Sequence, residues 1–198
     1  HDISSSSKIS NRKLKPFTEI IDETPVIDNH TRDLINWCSN YYHYPIGMVY
    51  SAIVPKYLRE SKYPNKIEDN GFIALAEERK SLTNAQKVAL KESEKYLKNN
   101  SALLLNGVTG SGKTEVYMRL IEKELSLGHQ VLFLVPEIGL TPQTANVLTA
   151  RFGGLVNVIH SGTSPKVRAS VWVAAQKGLA QLVVGTRSAI FTPFASLG

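Results

Sequence analysis

Eight residues constrain this chain more than any other stretch: Gly107-Val108-Thr109-Gly110-Ser111-Gly112-Lys113-Thr114. Their spacing is G-x-x-x-x-G-K-[ST]. The glycines let the backbone fold so that successive N–H groups point inward at phosphate oxygens. A helix starting where the loop ends adds its positive dipole end at the same point. Lys113 would reach the β- and γ-phosphates of a nucleotide, and the Thr114 hydroxyl would sit on Mg²⁺. The apolar run 102–106 reads as a strand before this loop. Residues 112–127 read as a helix after it, closed by Gly128.

The chain continues in the same rhythm. Residues 131–135 form a second apolar run ended by Pro136, and Thr141-Pro142 is a cap with proline at the first helical position. The helix it starts runs to Phe152. Residues 156–160 read as a strand, Ser164-Pro165 as the start of a helix to Lys177, and residues 182–185 as a further strand. Strands alternating with helices of this length mean right-handed βαβ units and a parallel sheet. Wholly apolar strands fit a sheet covered on both faces. The expected class is α/β, a phosphate-loop sheet over residues 81–198. Leu182–Gly185 is expected to form its unpaired edge.

The first part of the chain reads differently. Residues 1–15 are Ser- and Lys-rich, and a short segment, 17–22, follows. Thr31 reads as the N-cap of a helix carrying Leu34, Trp37, Cys38 and Tyr41 on one face. Pro45 and Gly47 end it, and a second helical stretch over 48–54 stops at Pro55. Residues 59–71 are polar and read as a linker, and the region 59–80 is too short for a full winged-helix domain. The expected division is 1–58, 59–80 and 81–198.

Composition narrows the function. Lys plus Arg is 23 and Asp plus Glu is 17, a net charge of +6. Residues 99–198 hold 8 basic and 4 acidic side chains, and Asp69 is the last aspartate. A basic excess suits a phosphate-rich partner. The apolar runs are far short of a membrane span, and the N-terminus has no apolar signal-peptide core. One cysteine, Cys38, excludes an internal disulfide and a cysteine-based zinc site within this sequence. It reads as a small buried residue.

Several phosphate-loop classes fit poorly. A GTPase needs an N-K-x-D base reader, and aspartate is absent downstream. A small-molecule kinase brings an Arg-rich lid, and after the loop there are only Arg119, Arg151, Arg168 and Arg187. Leu82-Thr83-x-x-Gln86 lies about twenty residues upstream, where translocating motors place an adenine-reading glutamine. The same residues read equally as a capping box, Thr83 with Gln86 at N3. Both readings stay open. Pro136–Pro142 and Gly185-Thr186-Arg187-Ser188 follow strands at the carboxyl edge, where α/β sheets bind ligands. Helix starts, Thr and Arg there can hold the phosphates of a single strand.

The motifs Gly107–Tyr117, Val135–Gln143, His160-Ser161-Gly162 and Gly185–Ala189 with Phe191-Thr192-Pro193-Phe194 together resemble the PriA family of replication-restart DNA helicases, in superfamily two. Leu14-Lys15-Pro16 and Trp37-x-x-x-Tyr41-Tyr42-x-x-Pro45-Ile46-Gly47 resemble the end of that family's domain for the 3′ end of a nascent strand. The resemblance implies a RecA-like motor lobe and an ATP-dependent 3′→5′ DNA helicase that recognises stalled or branched forks and initiates primosome assembly. It implies ATP and Mg²⁺ on residues 107–114, with Gln86 at the adenine and Thr114 at the metal. It implies Thr141, Thr186 and Arg187 facing DNA. The partners implied are single-stranded and branched fork DNA and primosome proteins, with no membrane, in the bacterial cytoplasm at the nucleoid. The family's D-E-E-H box, zinc-binding cysteines and second lobe are absent, so the chain is expected to be an internal or truncated piece, inactive alone. Another superfamily-two helicase or translocase, or a non-catalytic DNA- or nucleotide-binding module, remains the alternative.

Other residues read as structural. Tyr41, Tyr42 and Tyr44 are expected to pack at a helix end rather than stack on bases, and Trp37 and Trp172 are expected in the core. His160 reads as a strand-end hydrogen-bonding residue. Lys87, Lys91, Lys95 and Lys98 read as a solvated helix face.

Overall fold

The computed structural model describes residues 25–60, 62, 64, 81–97, 101–136 and 142–198. The expectations for residues 1–24, for most of the linker 59–80, and for Thr141 lie outside the described residues.

Three helices open the structure: α1 (Asn29–Tyr41), α2 (Ile46–Ile53) and α3 (Lys56–Arg59). The cap of α1 is Asp28, one turn earlier than expected; its carboxylate accepts from the Thr31 N–H at 2.7 Å. Thr31 is instead a buried helical residue. With Ile35 and Cys38 it forms the i, i+4, i+7 stripe that meets the core. This shifts the buried face away from the expected one. Trp37, Tyr41, Tyr42 and Tyr44 are all exposed, Trp37 at 53%. Trp37 stacks on Tyr41 at 4.8 Å between ring centroids, and Tyr42 meets both edge-on. The rings pack on one another rather than on the core. Cys38 and Trp172 are buried as expected.

Four more helices and three strands follow: α4 (Asn84–Leu97), α5 (Lys113–Ser126), β1 (Val131–Leu134), α6 (Pro142–Phe152), β2 (Val156–Ile159), α7 (Pro165–Gln176) and β3 (Leu182–Gly185). The strands are parallel, in the order β1-β3-β2. Val131 and Val156 both lie level with Leu182. Successive residues of β3 therefore serve opposite faces. Leu182 and Val184 pack with Met118, Ile121, Leu148 and Phe152 of α5 and α6. Val183 packs with Val171, Ala174 and Ala175 of α7. The other side of α7, through Ala169, Trp172 and Val173, shares a core with Ile35, Val49, Ile53 and Leu58 of α1–α3.

Two expectations are corrected. Leu182–Gly185 is the central strand, buried throughout, and not the edge. The outer strands are β2 and β1, and β1 exposes Leu134 at 44%. Its first turn of ladder is already taken by the last residues: Gln130 N–H donates to the Ser196 carbonyl, and Gly198 N–H donates to the Gln130 carbonyl. Residues 102–106 form no strand. Leu104 is 88% exposed. Apolar side chains make a strand only where a sheet edge accepts the backbone, and this run lies on no edge among the described residues.

Gln130 locks this corner. It is 2% exposed, and its Nε2 donates to the Ala175 and Ala180 carbonyls at 3.0 and 2.8 Å. Its Oε1 accepts from the Ala195 and Ser196 N–H groups at 2.8 and 2.9 Å. Gln130→Leu keeps the volume but strands four backbone groups. Urea unfolding of this chain should lose about 1–3 kcal/mol, and amide exchange should rise at Ala195 and Ser196. An unchanged midpoint would mean the side chain is not the lock.

Candidate functional site

The phosphate loop sits at the head of α5. Gly112 precedes the helix with φ of 80°, the left-handed region glycine favours. A Cβ there would also collide with the Gln86 amide. At Gly107 an added Cβ would lie 2.8 Å from Ser111 Oγ. The Lys113 ammonium folds over the loop, donating to the Gly107 carbonyl and to the Val108 carbonyl at 2.9 Å. The loop residues expected around a nucleotide, Gly107 through Thr114, are thus brought into one turn-plus-helix cradle.

Gln86 joins the cradle from α4. The capping box is formed: Gln86 Oε1 accepts from the Thr83 N–H at 2.9 Å, and the Gln86 N–H donates to Thr83 Oγ1 at 3.3 Å. Gln86 Nε2 also donates to the Gly112 carbonyl at 3.1 Å. One side chain therefore closes the start of α4 and ties it to the loop.

Sequence reasoning missed an ion network behind the loop. Arg151 of α6 is largely buried. Its Nε donates to Glu122 Oε1 at 2.7 Å and its terminal nitrogens donate to Glu115 at 3.1 and 3.3 Å. Arg119 donates to Glu115 Oε1 at 2.9 Å. Burial alone disfavours the Arg151 charge, but its bonds to Glu122 and Glu115 outweigh that and hold its pKa above the ordinary value. Glu115 directly follows Thr114, so the network clamps the first turn of the cradle helix to α6. The i, i+4 spacing of Glu115 and Arg119 was visible in the sequence, whereas the partner 36 residues away was not.

The carboxyl edge gathers the second set. Thr186 is 3% exposed; its N–H donates to the Ile159 carbonyl at 3.2 Å, and it caps a 3-10 turn over Arg187–Phe191. Arg187 is exposed. Both line a cleft of about 490 Å³. His160 ends β2 as a hydrogen-bonding residue: its Nδ1 accepts from the Gly162 N–H at 3.1 Å, and its carbonyl accepts from Arg168 at 2.8 Å. The exposed Lys87, Lys91 and Lys95 form the expected solvated face.

Residues 83–196, which take in Gln86, the loop and the carboxyl edge, match the family model of DEAD/DEAH box helicases. Residues 1–55 match the model of the PriA 3′ DNA-binding domain. The chain belongs to the DEAD/DEAH box helicase family, in its PriA branch. It is similar to Replication restart protein PriA of Haemophilus influenzae, 46% identical over 129 residues, 65% of this chain and 18% of that protein. Its match to the protein of the same name from Rickettsia conorii is 32% over 199 residues, 96% of this chain and 29% of that one. For Chlamydia trachomatis the match is 28% over 261 residues, 93% and 34%. The chain therefore spans 18% to 34% of the length of these relatives.

Helicases of this family use ATP and Mg²⁺ in general, and the cradle fits them: glycines at two close approaches, an ammonium held over the loop by two of its carbonyls, and a hydroxyl at the first helical turn. Among the described residues no group of three or more His, Cys, Asp or Glu is placed to hold a metal, and no helix is long and apolar enough to cross a membrane.

Arg151→Met should test the clamp. It leaves Glu115 and Glu122 facing each other and should destabilise this chain by about 1–3 kcal/mol in urea. Paired with Glu115→Gln, the two losses should add to less than their sum. Full additivity would mean the groups do not interact.

Proposed function

We propose that this chain is part of an ATP-dependent 3′→5′ DNA helicase that acts on stalled or branched replication forks and starts primosome assembly there. It would work in the bacterial cytoplasm at the nucleoid, with zinc-binding cysteines carried elsewhere in the full-length protein. The observation that carries the reading is the cradle itself: a glycine-lined loop at a helix head, with Lys113 over it and Gln86 bonded to Gly112. Family membership and the match of residues 1–55 to a 3′ DNA-binding domain support the rest.

Each residue then has a role. The backbone of residues 107–112 and Lys113 hold the triphosphate, and Thr114 holds Mg²⁺. The bound nucleotide supplies the phosphoryl bond whose cleavage drives movement. Gln86 reads the adenine edge by exchanging its bond to Gly112, so base recognition and loop geometry share one amide. Thr141, Thr186 and Arg187 hold the DNA backbone and contribute no sequence preference.

Two substitutions test this in the full-length protein. Lys113→Ala removes the cradle's cation and should weaken Mg-ATP binding by about 1.5–3 kcal/mol, with ATPase activity near background. Near-normal turnover would sink the nucleotide assignment. Arg187→Ala should weaken single-strand binding equally for all sequences and flatten the salt dependence by about 0.7 units. An unchanged affinity and slope would remove the carboxyl edge from the DNA path.

A further inference from the structure

The cleft at Thr186 and Arg187 has a second wall that no sequence motif marks. It comes from the corner between α2 and α3, where Ile53, Val54 and Pro55 lead into Lys56 and Arg59. Across from it stand Arg168 of α7 and Arg187, with Ser161 and Ser188 between them. Four cations line one cavity, and among the described residues no carboxylate lines it. Glu60 pairs with Lys56 at 3.7 Å and more closely with Lys62 at 2.8 Å, and it does not itself line the cavity.

The guanidinium groups of Arg59 and Arg168 are held by neutral partners. Arg59 Nε donates to the Val54 carbonyl at 3.1 Å. Arg168 donates to the His160 carbonyl at 2.8 Å and to Ser188 Oγ at 3.2 Å. Such bonds fix direction without cancelling charge. Both walls are anchored on α7, since Val54 and Leu58 share a core with Ala169 and Trp172. Like charges fixed around one space repel one another, and an anion entering it relieves that repulsion. The site is therefore preorganised for a phosphate-bearing ligand.

We propose that this cleft binds the sugar–phosphate backbone of one DNA strand, with Lys56 and Arg59 as phosphate contacts opposite Arg187. The proposal rests on reading the Thr186–Arg187 turn as DNA-facing, and it adds the helical corner as a second contact surface. A strand fits better than a free nucleotide. The cations share the lining with the apolar strip Ile53–Pro55, which suits sugars beside phosphates, and the nucleotide cradle lies elsewhere, at the head of α5. A space of about 490 Å³ has room for a short stretch of one strand and not for the width of a duplex.

The test is equilibrium binding of fluorescent oligonucleotides to full-length protein at several salt concentrations. Lys56→Gln with Arg59→Gln should weaken single-strand binding several-fold, independently of sequence, and lower the salt slope by about 1.4 units, the loss of two single-strand phosphate contacts. Lys56→Arg, which keeps the charge, should bind as the parent does. If the Arg59 change disturbs folding through its bond to Val54, Lys56→Gln alone should lower the slope by about half as much. Unchanged affinity and slope, while Arg187→Ala reduces both, would overturn the second wall and leave the DNA-facing edge intact. No effect from either variant would overturn both readings. An equal loss on blunt duplex would overturn the single-strand assignment.

Discussion

Helix α7 carries apolar side chains around most of its circumference, and burying both sides sets the geometry of everything near the carboxyl edge. One side, Val171, Ala174 and Ala175, covers the sheet beneath Val183. The other, Ala169, Trp172 and Val173, takes α1–α3. Burying a tryptophan of this kind is worth about 3–5 kcal/mol against alanine. Trp172 also donates from its indole to the Val26 carbonyl at 3.3 Å. A helix that were apolar on one side only would leave the N-terminal helices unattached. The cleft would then have one wall, because Lys56 and Arg59 reach it through α3 packed on α7.

The sheet transmits from a second fixed point. β3 lies between β1 and β2, so the Gly185–Thr186 turn leaves the middle of the sheet rather than its rim. On the opposite face α5 and α6 are joined by Arg151 to Glu115 and Glu122. Helix α6 begins directly after the loop that follows β1, and α5 begins at the phosphate cradle. Thus the helix behind the cradle and the helix behind the carboxyl-edge loops move as one piece or break a partly buried charge network. Buried ion pairs are weak sources of stability, but they discriminate strongly between registers. Here the discriminated register is that of the cradle helix against its neighbour.

What could be read from the sequence divides along the range of the interaction. The cradle, the Ser164 cap, the helix bounds after residue 112 and the three apolar strands depend on neighbours within a few residues, and they stood out. The capping box and the contact to Gly112 turned out to coexist in Gln86, because the oxygen and nitrogen of its amide serve different partners. Strand order is a long-range property. Four consecutive apolar residues look alike at the centre and at the rim, so Leu182–Gly185 was misassigned to the edge. The run 102–106 has the composition of a strand without an edge to join. Helix α1 offered two apolar stripes, and the tryptophan-bearing stripe is the larger. The core took the smaller one, Thr31, Ile35 and Cys38, with Leu34 partly buried against it.

Charge shows the same division. After Glu137 the sequence contains no carboxylate, yet it carries Arg151, Lys166, Arg168, Lys177 and Arg187. Such a run could be a scatter of solvated cations. The fold sorts it. Arg151 turns back to glutamates of α5, and those glutamates are consumed in holding it and Arg119. Glu124 is occupied by His129 at 2.7 Å. No acid from the last 61 residues can then answer Arg168 and Arg187, and the α2–α3 corner brings Lys56 and Arg59 to the same place instead of a counter-charge. Glu115, Glu122 and Glu124, three of the four carboxylates after residue 98, are thus held by Arg151, Arg119 and His129, and none of them lines the cleft that Arg168 and Arg187 share with Lys56 and Arg59.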